Sequence, residues 1–90
     1  MPKSNGRIEA FKLVDQAIRL QLTEDGDPVE IENCLMKALK LDPGSIDALQ
    51  EAAHFYDAVV PNANKARTYA TRCLEKLAEI AAEMKGLLAQ

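Results

Sequence analysis

The chain has 90 residues, 48% apolar and 28% charged, with a formal net charge of −3. That length is one small domain, burying only about 60–65% of its extended surface on folding. The balance excludes a disordered tail or a collagen-like fibre as the default, and no apolar run approaches the ~18 residues of a membrane span. Eleven basic residues are scattered among fourteen acidic ones, which argues against nucleic acid as a partner. Aromatics are 4% and tryptophan is absent, so a core must be assembled from Ala, Leu and Ile, a composition that favours close-packed helices.

Proline and glycine cut the sequence at Gly26-Asp27-Pro28, Asp42-Pro43-Gly44-Ser45 and Pro61-Asn62. Each block between the breaks has helical period. The first helix is expected over about residues 7–23, where Ile8, Phe11, Val14, Ile18 and Leu22 recur at three- and four-residue steps. Leu13, Ala17 and Leu20 widen that surface. Before it, Met1-Pro2-Lys3-Ser4-Asn5-Gly6 is polar and lacks the apolar stretch of a secretory signal, and Pro2 stands where myristoylation needs glycine. A cytoplasmic protein that does not enter a membrane is expected.

The second helix is expected over 28–41. Asp27 is a good N-cap, Pro28 suits the first helical position, and Glu30 follows at capping-box spacing. Ile31, Cys34, Leu35, Ala38 and Leu39 form its apolar face, and Pro43 stops it. The third, over 46–59, opens on the cap Ser45 and carries Ile46, Leu49, Ala52, Ala53 and Tyr56. The fourth, over 62–88, meets no breaker before Gly86 and keeps helical spacing from Ala63 to Leu88. Short connections make consecutive helices antiparallel neighbours.

The second and fourth blocks repeat. Ile31, Leu35, Ala38 and Leu39 align with Ala66, Ala70, Cys73 and Leu74 at an offset of 35 residues. A helix–turn–helix unit near this period resembles the tetratricopeptide repeat. The likeness rests on Leu49, Ala52, Ala53 and Tyr56 in the first-helix pattern, and on Ile31, Leu35, Ala38 and Pro43 in the second. It covers about residues 12–79, two units. It departs at the first helix, at the loop after Tyr56, which is one residue longer than the repeat pattern has, and at the fourth helix, which lacks a terminating proline. The resemblance implies a right-handed α-α superhelix-like array of two antiparallel hairpins, all-α, with an extended C-terminal helix. It also implies a concave groove lined by the first and third helices, with Gln16, Leu20, Gln50, His54 and Asp57 as contacts for a peptide or protein partner.

Little else carries chemistry. Cys34 and Cys73 lie 39 residues apart on apolar stripes and His54 is the lone histidine, so no metal set is expected. The two cysteines read as small buried hydrophobes, with a disulfide between them as the alternative. His54 lacks a nucleophile, which leaves an enzyme or a small regulatory subunit using it as a remote alternative; neither a catalytic residue nor a cofactor is expected. The acidic run Glu24, Asp25, Asp27, Glu30, Glu32 lacks the order of a calcium loop and suits the N-terminus of the second helix. The basic residues Lys65, Arg67, Arg72 and Lys76 of the fourth helix interleave with Glu75, Glu79 and Glu83 as a solvated face.

One stripe outruns the two repeat units: Leu77, Ile80, Ala81, Met84, Leu87 and Leu88. Either it folds over the end of its own domain as a cap, or it is the face for a second copy or another protein's helix. The second reading makes Leu77, Ile80, Met84 and Leu88 the interface of a self-associating homodimer.

Overall fold

The computed structural model describes residues 2–23 and 25–90, with side chains from residue 6 onward. Glu24 of the acidic run lies outside the described residues. The described chain is all-helical: α1 (Pro2–Gln21), α2 (Pro28–Leu41), α3 (Ile46–His54), a π-helical turn (Phe55–Val59) and α4 (Ala63–Leu88). Helices pack in pairs, α1 on α2 and α3 on α4, and the two hairpins meet through α1–α3 and α2–α3.

Local chemistry sets these boundaries. The Asp27 carboxylate accepts from the Val29 N–H at 3.0 Å, the Ser45 hydroxyl from the Ala48 N–H at 3.2 Å, and the Asn62 side-chain oxygen from the Lys65 N–H at 3.1 Å. Each satisfies an N–H that the helix itself leaves without a partner. α2 closes with the Asp42 N–H on the Ala38 carbonyl, and Pro43-Gly44 turns the chain into α3. α1 starts five residues before the expected boundary, because its first turn is polar and shows no period to read.

The third helix departs from expectation at its end. Past His54 the ladder widens: the Val60 N–H reaches back five residues to the Phe55 carbonyl, at 3.0 Å, and the Asn62 N–H bonds the Tyr56 carbonyl at 2.7 Å. Pro61 between them has no N–H to give. The residue the loop carries in excess of the repeat pattern is absorbed in this π turn, which buries both Phe55 and Tyr56.

The core is built on small residues. One cluster joins Ala10, Val14, Ala38, Leu39, Ala48, Leu49 and Ala52; the other joins Ala17, Ile31, Cys34, Leu35, Phe55 and Tyr56. Alanine at five of these positions lets the helix backbones approach closely. This corrects the expected face of α1. Of the expected stripe Val14 does pack inward, in a row with Ala10 and Ala17, while Ile8, Phe11, Ile18 and Leu22 are exposed. Larger side chains on the buried row would hold the hairpins apart, so the most apolar face of α1 is not its core face.

α4 is 26 residues long against nine for α3, about 39 Å against 14 Å. Lys76 lies over Gly44 at the start of α3, so the helix beyond Ile80 overhangs the body. No residue of α4 is fully buried. Leu77, Ile80, Met84 and Leu88 are all exposed, so the stripe does not fold over the domain as a cap.

Candidate functional site

α1 and α3 do form a groove, of about 250 Å³. Phe11, Val14, Asp15 and Ile18 line it from α1, and Asp47, Gln50 and Glu51 from α3. Phe11 is 64% exposed, an uncommon setting for a large aromatic side chain in a concave surface. At its Phe11 end the groove opens into a larger cavity of about 520 Å³, where Phe11 and Asp47 are joined by Arg7, Asp42, Ser45, Lys76 and Ile80. The apolar part of this lining runs from Ile18 through Phe11 to Ile80. Asp15, Asp47 and Glu51 line the groove, and in the larger cavity Asp42 and Asp47 lie alongside Arg7 and Lys76. Asp15 is paired with Arg19 at 2.9 Å, and Lys76 with Glu79 at 3.6 Å.

The residues expected to line the groove divide. Gln50 lies in it. His54 and Asp57 are exposed further along α3 and the π turn, past the stretch that faces α1. Gln16 lies in a separate cleft between α1 and α2, of about 470 Å³, with Leu13, Asn33, Met36, Lys37 and Lys40. Leu20 is half-buried against the core cluster of Ile31 and Phe55. The reason is rotational. With Ala10, Val14 and Ala17 facing inward, the row through residues 13, 16 and 20 turns to α2, and the row through 11, 15 and 18 turns to α3. The spacing of Phe11, Asp15 and Ile18 was present in the sequence; the missing information was which face the core takes.

At the far end of the hairpins an aromatic cluster ties the elements together. The Tyr56 ring packs edge-on to Phe55, with centroids 5.0 Å apart, and stacks on Tyr69 of α4 at 5.8 Å. Its hydroxyl donates to the Glu32 carboxylate of α2. The Tyr69 hydroxyl lies 3.4 Å from the Met36 sulfur, and Lys65 and Arg72 sit over the two tyrosine rings. Burial, then the hydrogen bond and charge of Glu32, push the Tyr56 phenol well above the ordinary tyrosine range. Burial and the nearby Glu30 carboxylate raise the Cys34 thiol, which keeps it protonated and unreactive at neutral pH. Cys34 and Cys73 are unbridged.

Among the described residues, no three His, Cys, Asp or Glu side chains converge as a metal-binding group, and no helix is long and apolar enough to cross a membrane. No protein-family model, curated protein or solved structure matches the chain.

Proposed function

We propose that this chain is a non-catalytic protein-interaction module, similar to a pair of tetratricopeptide units, that holds a peptide or protein segment in the groove between α1 and α3. The observation that carries this reading is Phe11, exposed in a concave surface that continues to Ile18 on one side and Ile80 on the other. A ligand segment gains by burying apolar side chains there. Asp15, Asp47 and Glu51 favour Lys or Arg on its flank, with Gln50 offering a hydrogen bond. The tetratricopeptide likeness is supported by the paired hairpins and by the full burial of Ala38 and Ala52, the small positions of its pattern. The reading places the protein in the cytoplasm, where both thiols stay reduced, with no nucleic acid or membrane as partner.

The test is selection of peptides from a random displayed library on the immobilised full chain. Binding of the selected peptides is then measured to Phe11→Ser and Gln50→Ala, with Asn33→Ala in the α1–α2 cleft as control. At least a tenfold loss on Phe11→Ser, with Asn33→Ala unchanged, supports the groove; the reverse pattern rejects it.

A further inference from the structure

We propose that α4 pairs antiparallel with α4 of a second copy of this chain, about a two-fold axis at Glu79. Along α4 the residues half-buried against the body are Ala66, Tyr69, Arg72, Cys73 and Lys76. About a quarter-turn away runs a second line, Ala70, Leu74, Leu77, Ala81, Met84 and Leu88, at alternating steps of four and three. That is the spacing of a helix–helix seam. All six residues are exposed, Leu74 at 66% and Leu88 at 86%. None of them lines the groove, its cavity or the α1–α2 cleft.

The line is self-complementary when reversed. Turned end for end about residue 79, it sets Ala70 opposite Leu88, Leu74 opposite Met84 and Leu77 opposite Ala81. Small residues meet large ones at both ends and on either side of the centre, and Leu74 meets Met84 between them, so apolar side chains face each other along the whole line. Charge agrees with this. Glu75, Glu79 and Glu83 fall on the opposite side of the helix at about 100° per residue, and only Arg67 and Lys85 border the seam.

The seam spans about 27 Å, roughly five turns of helix. The overhang of α4 lets two bodies sit at opposite ends of the helix pair. A second copy is therefore the occupant this face is shaped for.

Sedimentation equilibrium of the full chain between 1 and 100 μM tests the pairing, and disulfide trapping tests its direction. The expected result is a dimer that Leu74→Glu with Leu77→Glu converts to a monomer of unchanged helical circular dichroism. In a Cys73→Ser background, Leu74→Cys and Met84→Cys proteins are mixed and oxidised. Antiparallel pairing gives the mixed disulfide, because like positions lie about 15 Å apart, beyond the reach of a disulfide. A wild-type monomer at 100 μM, leaving the face to another protein, overturns the proposal. So does a preference for like-with-like disulfides, which a parallel pair would give. The wild-type measurement needs no variant to fold.

Discussion

The hydrogen bond from Tyr56 to Glu32 is the one polar tie between the π turn and α2, and its removal has a calculable effect. Tyr56→Phe keeps the ring, and with it the packing on Phe55 and Tyr69, and deletes only the hydroxyl. A hydrogen bond to a charged acceptor contributes about 1.5–3 kcal/mol. Glu32 is half-buried and regains water when its donor leaves, so about 1–1.5 kcal/mol is expected. With a urea slope near 1 kcal/mol per molar for a chain this small, the unfolding midpoint falls by roughly 1 M. Glu32→Gln should lose less, and the double variant little more than Tyr56→Phe alone, a coupling nearly as large as the Glu32→Gln loss itself. The bond also predicts alkaline behaviour. The folded-state pKa of Tyr56 is raised, so the unfolded chain loses its phenolic proton first, near pH 10. The stabilisation is whole below that pH and falls above it by up to about 1.4 kcal/mol per pH unit. Cys34, also raised, begins its own decline near pH 9. Tyr56→Phe should abolish the later decline and keep the earlier one. A coupling below about 0.3 kcal/mol, or identical alkaline profiles for Tyr56→Phe and wild type, would refute the reasoning.

Other perturbations probe the remaining joints. A Cβ added at Gly26 would lie 1.9 Å from the Leu20 carbonyl oxygen, a backbone atom that cannot swing aside, so Gly26→Ala should lower stability by about 1–3 kcal/mol in urea unfolding. Ala52→Leu puts a large side chain into the alanine-walled cluster and should cost at least as much, with loss of cooperativity in thermal melts. Asn62→Ala removes the α4 cap, with an expected loss of about 1 kcal/mol. Phe11→Ser alters an exposed groove residue and should move the urea midpoint by less than about 0.5 M.

Much of this fold is legible in the sequence, for reasons that can be named. Asp27, Ser45 and Asn62 are caps whose side chains make the expected bonds, and Pro43 and Pro61 stop helices because they lack an N–H. Three of the four helices thus begin within a residue of where punctuation places them. The end of α3 is different: the π turn is a compromise between keeping Phe55 and Tyr56 both inside and accommodating Pro61, and no local pattern encodes it. The site was only half legible. Hydrophobic periodicity picks out Val14 correctly but ranks Ile8, Phe11 and Ile18 above Ala10 and Ala17, and close helix approach reverses that order. The rotation carries Gln16 and Leu20 to the α2 side and leaves Gln50 as the groove residue identified from sequence. On α4 the periodicity was plain, but only exposure separates the line that meets the body from the seam beside it.

The claim that the α1–α3 groove binds a peptide or protein segment is tested most directly by heteronuclear NMR of the ¹⁵N-labelled chain titrated with a library-selected peptide. The account predicts amide shift changes concentrated at Phe11, Asp15, Ile18, Asp47, Gln50 and Glu51. Changes centred instead on Gln16, Asn33 and Lys37 in the α1–α2 cleft would contradict it.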